Sequence, residues 1–246
     1  MVILLRDWTV KKFKVSVITT LYNYRRYVED CIKSFLNQDF RDSEIIIVDD
    51  CSVDSPLDVI GKYLGERVKY TKLPEKANYS VAKNVGIKNS TSEILVMLDA
   101  DDMLTKNGIS IRYDKLMEGY DFVHGPCIVL NKGKQYRAPV WKRYLQNKSY
   151  RNVHAQTVML RKDIHRKIGL YDEELWSSSD YEMWGRIFTH GFKIGYVEED
   201  VSFYRMHSKQ MSMSARKLKE LASITKHVKG KIENRKTDLS DVEMLI

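Results

Sequence analysis

A chain of 246 residues, 43% hydrophobic and 30% charged, can bury a full core, which excludes a peptide-sized or disulfide-dependent scaffold, and no apolar run reaches the roughly 18 residues needed to cross a bilayer. Its net charge of +8 gathers in the C-terminal tail without a recognition motif or interleaved aromatics, so nucleic acid is not an expected partner. Cys31, Cys51 and Cys127 form no C-x-x-C pair, which argues against a disulfide framework or zinc site and for a reducing, cytoplasmic location.

Met1-Val2-Ile3-Leu4-Leu5 runs directly into Arg6 and Asp7 and is too short for a secretory signal. Residues 14–19 have the β-branched density of a central strand, and residues 25–37 carry Val28, Ile32, Phe35 and Leu36 at helical spacing. A second buried strand at 45–48 ends at Asp49-Asp50 and is followed by a helix over 56–64. A strand at 68–71, a helix at 80–88 and the apolar run before Asp99 continue the alternation, which requires a mostly parallel sheet.

The run Ile94-Leu95-Val96-Met97-Leu98 ends in Asp99-Ala100-Asp101-Asp102, three carboxylates within four residues. Such a cluster repels itself unless a cation lies against it, and an all-oxygen donor set suits Mg²⁺ or Mn²⁺. The other reading is an acidic loop capping a helix that begins near Thr105.

Beyond Gly119 the spacing predicts strands at 121–130 and 134–137 around an Asn131-Lys132-Gly133 hairpin turn. Residues 138–151 read as a loop near the active site, 153–160 as a strand, 162–168 as a short helix ended by Gly169, and 180–190 as a helix ended by Gly191. Strands at 192–197 and 201–205 precede the tail. There, Leu218, Leu221, Ile224 and Val228 recur at helical spacing among Arg216, Lys217, Lys219 and Lys226, a basic amphipathic helix that can dock on an anionic membrane or on the chain's own domain.

In a parallel sheet the carboxyl ends of the strands share one edge, so Thr20-Leu21-Tyr22-Asn23, Asp49-Asp50 and the Asp99 cluster converge on one crevice suited to a nucleotide. No G-x-G-x-x-G follows the first strand, and no G-x-x-x-x-G-K-[ST] occurs, which removes the main support for dinucleotide oxidoreductases and P-loop enzymes.

The segments Val15 to Asn23, Ile46-Ile47-Val48-Asp49-Asp50-Cys51-Ser52, Ala82-Lys83-Asn84-Val85-Gly86-Ile87 and Leu98-Asp99-Ala100-Asp101-Asp102 resemble, in order, the signatures of family 2 glycosyltransferases. So do Gly169-Leu170-Tyr171-Asp172-Glu173, Asp180-Tyr181-Glu182-Met183-Trp184 and Tyr204-Arg205-Met206-His207. The resemblance covers roughly residues 14–210. It implies a GT-A fold, an α/β architecture with a Rossmann-like, mostly parallel central sheet flanked by helices. Residues 1–210 would form that domain, with a nucleotide-sugar half at 14–120 and an acceptor and catalytic half at 121–210. Residues 211–246 would form the basic helical tail.

The implied activity is inverting, metal-dependent transfer of a sugar from a nucleoside-diphosphate donor, UDP-sugar first, to a hydroxyl of a glycan or lipid-linked acceptor. It assigns nucleotide contacts to Thr20, Tyr22, Asp50, Lys83, Asp99 and Ala100, a Mn²⁺ or Mg²⁺ site to Asp101 and His207, and the catalytic base to Asp180. Trp176, His154, Tyr181 and Trp141 lie in the half that holds acceptors. Ser179 replaces the acidic residue that often precedes the base, and Lys83 replaces a common arginine, a point charge in place of a bidentate fork. Membrane contact would be peripheral, on the cytoplasmic face. The rival enzyme is a sugar-phosphate nucleotidylyltransferase, which would carry a glycine- and arginine-rich loop where Thr20 to Asn23 stand. The non-enzyme rival is a catalytically inactive carbohydrate-binding relative.

Overall fold

The computed structural model describes residues 11–138, 153–176, 178–208, 210–211, 223–224 and 226. Among the described residues, seven strands form the main sheet. The first four are β1 (Val15–Leu21), β2 (Ser43–Asp49), β3 (Val68–Lys72) and β4 (Ile94–Asp99). Neighbouring strands among these run parallel, β3-β2-β1-β4 across the sheet. Helices α1 (Arg25–Leu36), α2 (Leu57–Ile60, continued as a 3₁₀ turn over Gly61–Tyr63) and α3 (Tyr79–Asn89) connect them.

The apolar runs of β1, β2 and β4 are buried on both faces, and the two-residue period of a strand divides each run between two cores. Val15, Val17, Ile45, Ile47, Val96 and Leu98 meet α1 residues such as Val28 and Ile32 on one face. Ile18, Ile46, Val48, Leu95 and Met97 meet Ala82 and Ile87 of α3 on the other. Close approach of α3 depends on Gly86, where an added Cβ would lie 2.5 Å from Ile18 Cγ2.

After β4 the chain departs from the expected order in three places. The helix expected near Thr105 begins instead at Gly108, as α4 (Gly108–Met117), because a short strand β5 (Met103–Leu104) intervenes and pairs with a later strand. The strand expected over 121–130 is two strands, β6 (Phe122–His124) in the main sheet and β7 (Cys127–Asn131) in a second sheet. Gly125 and Pro126 separate them, and proline cannot donate to a ladder. The strand expected over 153–160 is a 3₁₀ turn (Ala155–Thr157) followed by β9 (Met159–Arg161), which runs antiparallel between β4 and β6.

The hairpin forms as expected. β8 (Lys134–Arg137) pairs antiparallel with β7, and Lys132 and Gly133, at φ 46° and 80°, supply the two positive angles of a primed turn. Helices α5 (Asp163–Ile168) and α6 (Ser179–Thr189) follow. Strand β10 (Ile194–Tyr196) extends the main sheet beside β6, and β11 (Ser202–Met206) lies between β5 and β7. Trp141 and most of the expected active-site loop lie outside the described residues, as does nearly all of the basic tail. Of that tail, Ile224 is buried in the α3-side core and Lys226 is exposed.

Candidate active site

Parallel register fixes the site before any side chain is considered. Thr20 lies level with Asp99 across β1 and β4, and Leu21 with Asp49 across β1 and β2. Chain order reverses at β1, with β2 and β3 on one side and β4 on the other, and crevices open at the carboxyl ends of such strands. A cavity of about 720 Å³ opens there, lined by Thr20, Tyr22, Asp50, Asp99, Asp101 and Asp180 among others.

On the β1–β2 side, Asp50 is buried and its Oδ1 accepts the Ala77 backbone N–H at 2.6 Å. Burial raises its pKa, opposed by that hydrogen bond and by the charge of Lys76. The Lys76 ammonium sits 3.4 Å from the ring centroid of Tyr22, which is 36% exposed and lines the cleft, so an aromatic ring and a cation stand together at this end of the site. Thr20 Oγ1 donates to Asp99 Oδ1 at 3.3 Å. Ala100 is fully buried and does not line the cleft; its N–H donates to the Thr20 carbonyl and so ties β4 to β1.

The acidic cluster separates into three environments. Asp99 is held in the β4 ladder, and its pKa rises to about 6, first through burial and then, against Lys83, through Asp180 and Asp101. Asp102 does not cap the following helix. Its Oδ1 accepts the Arg205 N–H at 2.8 Å, so it ties the cluster to β11, and burial together with Asp101 and Asp99 raises its pKa strongly. Asp101 Oδ2 lies 2.9 Å from His207 Nε2. The His207 ring stacks on Tyr27 at 4.7 Å and meets Tyr24 edge-on at 5.4 Å.

Among the described residues no three His, Cys, Asp or Glu side chains converge as a metal cage. Asp101 and His207 supply one oxygen and one nitrogen donor, both side chains no more than 10% exposed. That pair fits a cation whose remaining positions are filled by water and phosphate oxygens, the usual manner of binding beside nucleotides.

Asp180 sits in the first turn of α6, where Ser178 makes no side-chain cap. Capping is not its role. Its Oδ1 accepts from Lys83 Nζ at 2.5 Å and its Oδ2 from the Tyr79 hydroxyl at 3.1 Å. Lys83, expected beside a diphosphate, is 1% exposed, does not line the cleft and is ion-paired to Asp180. Asn84, next on α3, binds the Tyr171 carbonyl at 2.9 Å and Glu173 Oε1 at 2.9 Å, and its own Oδ1 accepts the Tyr171 N–H at 3.0 Å. These bonds lock the segment before α6 onto α3.

Trp176, His154 and Tyr181 all line the cleft, with His154 5.0 Å from the Tyr204 ring. His207 and Lys83 reach the site from behind its wall. Sequence reasoning missed Tyr79, which precedes Lys83 by four residues and therefore shares its helix face; that spacing was the available signal. It also missed Tyr24 and Gln210. Gln210 accepts the His207 N–H at 3.0 Å and donates to Tyr204 and Arg205, from an irregular segment that offers no periodic signal.

The family model described as "Glycosyl transferase family 2" matches residues 16–169. The putative teichuronic acid biosynthesis glycosyltransferase TuaG of Bacillus subtilis (strain 168) is 37% identical over 106 residues, 42% of each chain. The UDP-Glc:alpha-D-GlcNAc-diphosphoundecaprenol beta-1,3-glucosyltransferase WfaP of Escherichia coli is 27% identical over 84% of this chain and 82% of its own. Two of the first three curated relatives are matched over less than half of their length. Among solved structures, S. aureus TarS 1–349 in complex with UDP-GlcNAc superposes with a TM-score of 0.77 at 21% identity, covering 90% of this chain and 67% of that one. The mannosyltransferase PcManGT of Pyrobaculum calidifontis, in complex with GDP-Man and Mn²⁺, gives 0.65 at 16% identity, covering 83% and 61%. These likenesses establish a shared fold.

Proposed function

Because the chain belongs to glycosyl transferase family 2, we propose that it moves a sugar from a nucleoside-diphosphate donor, UDP-sugar first, to a hydroxyl of a glycan or lipid-linked acceptor, with inversion and with a divalent cation. One observation carries the reading: a single cleft joins Asp50 and Tyr22 to Asp99, Asp101 and Asp180. In this reading Tyr22 packs against the base and Asp50 accepts a ring N–H, as uracil offers, while Thr20 and Asp99 take ribose hydroxyls. Ala100 contributes only through the backbone that carries Asp99 and Asp101.

Asp101 and His207 would hold Mn²⁺ or Mg²⁺, which when bound supplies positive charge to the departing diphosphate. Asp180, facing the same cleft, takes the proton of the attacking acceptor hydroxyl. Lys83 keeps that carboxylate in place. Trp176, His154 and Tyr181 offer aromatic faces on which an acceptor sugar can stack. Relatives named for undecaprenol-linked substrates support a lipid-linked acceptor and work at the cytoplasmic face of a membrane.

The test is a panel of nucleotide sugars screened by thermal shift with and without Mn²⁺, followed by transfer assays. A bound donor raises Tm in proportion to ln(1 + [L]/Kd). UDP-sugars should give the largest rise, larger with Mn²⁺, and chelator should abolish transfer. Asp180→Asn should lose about 10²–10⁴ in rate while still binding donor. Activity unchanged in chelator would remove the metal role, and activity unchanged in Asp180→Asn would remove the base.

A further inference from the structure

Tyr79 belongs to none of the strand ends, yet it touches both carboxylates on which the proposed transfer turns. Its phenol oxygen lies 2.9 Å from Asp99 Oδ1 and 3.1 Å from Asp180 Oδ2. The Lys83 ammonium, one helical turn further along α3, lies 4.1 Å from the Tyr79 ring centroid and binds the other oxygen of Asp180.

We propose that Tyr79 is a positioning residue for transfer: its hydroxyl fixes the Asp180 carboxylate at a set distance from Asp99, so that the base faces the sugar of a donor held at Asp99. The inference rests on the sugar-transfer reading of the cleft.

The physical reason lies in the two anchors. A carboxylate held at one oxygen can still turn about its Cβ–Cγ bond, which is a soft torsion. Held at both oxygens by side chains on the same face of one rigid helix, it cannot. Catalytic groups need placement to within about 0.5 Å, and supporting hydrogen bonds provide it. A phenol carries one proton, so Tyr79 anchors Asp180 Oδ2 only while it donates there; Asp99 Oδ1 has a second donor in Thr20 Oγ1, which leaves the phenol proton available to Asp180. Burial, with Asp180 and Asp99 beside it, raises the Tyr79 pKa well above the usual phenol value, so the hydroxyl keeps the proton it donates.

The experiment compares wild type, Tyr79→Phe and Tyr79→Leu for donor binding by titration and for release of nucleoside diphosphate from the same donor. The phenylalanine variant keeps the ring beside Lys83 and removes only the hydroxyl. Its kcat should fall about tenfold, the loss expected for one hydrogen bond to a charged group, while donor Kd and KM stay within about twofold. The leucine variant, lacking ring and hydroxyl, should fall further in kcat. A second readout needs no turnover: unfolding of Tyr79→Phe, Asp180→Ala and the double variant, with Asp180→Asn substituted if the alanine variant does not fold. Losses in the singles should be non-additive in the double.

Additive losses overturn the proposal, as does an unchanged kcat in Tyr79→Phe. A fall in kcat matched by an equal loss of donor affinity also overturns it, because Tyr79 would then be a donor contact. Wild type that binds no nucleotide or nucleotide sugar instead removes the sugar-transfer reading, and the role of Tyr79 with it.

Discussion

A histidine buried among cations makes a protein less stable in acid, and His165 is such a residue. Burial lowers its pKa to about 4, against the Gly169 carbonyl and reinforced by the charges of Arg186, Lys83 and Lys162. Between the ordinary value near 6.5 and about 4, the unfolded chain therefore binds a proton that the native state refuses. That contribution to stability is complete above about pH 6.5 and is lost as pH falls towards 4. His165→Leu, similar in volume, should gain on wild type across this window by about 2–3 kcal/mol, relative to the difference at pH 8. Denaturant titrations at pH 8, 6 and 4.5 check it, and a constant difference would contradict the burial argument. Asp99 pulls the other way. Its pKa of about 6 means that the native state takes up a proton first, so acid relieves the cost of that buried charge. The variant comparison isolates His165 from this opposing effect.

At the scale of elements, α3 decides the geometry of the site. Tyr79 and Lys83 both reach Asp180, and Asn84 binds the segment leading into α6. All of these distances depend on how closely α3 lies on β1 and β2. Gly86 sets that spacing, since a Cβ there would meet Ile18 Cγ2 at 2.5 Å and Val48 Cγ2 at 3.4 Å. Ile18 is fully buried and has little room to yield. Gly86→Ala should therefore cost about 1–3 kcal/mol through overpacking. It should also displace Lys83 and Tyr79 from Asp180, so turnover falls more than nucleotide affinity. Equilibrium unfolding and a Kd against UDP measure the two effects separately, and a variant as stable as wild type would show that the helix can back away without strain.

Across the whole molecule, the described part of the tail bears on its two possible roles. Ile224 is 6% exposed and lies in the core beneath α3 and α6, which favours docking on the domain. Ile224→Asp would place an unpaired charge in that core, and Tm should drop by about 2–4 °C for each kcal/mol lost. An unchanged Tm would leave lipid as the better partner, and flotation of the full chain against one ending at Ser214 on anionic liposomes would then decide. No helix among the described residues is long and apolar enough to cross a membrane. The sequence by itself determined the β1-α1-β2-α2-β3-α3-β4 alternation, the parallel sheet and the acidic strand ends, because burial on both faces writes long β-branched runs and carboxylates interrupt them abruptly. It also singled out Thr20, Asp50, Asp99, Asp101 and Asp180 as residues to watch. Only the tertiary structure showed that Lys83 turns inward to Asp180, that Tyr79 bridges two carboxylates, that Asp102 ties to β11, and that 121–130 divides between two sheets. Those outcomes depend on contacts between residues from 20 to 103 positions apart, and local periodicity carries no record of which distant side chain will fill a given buried space.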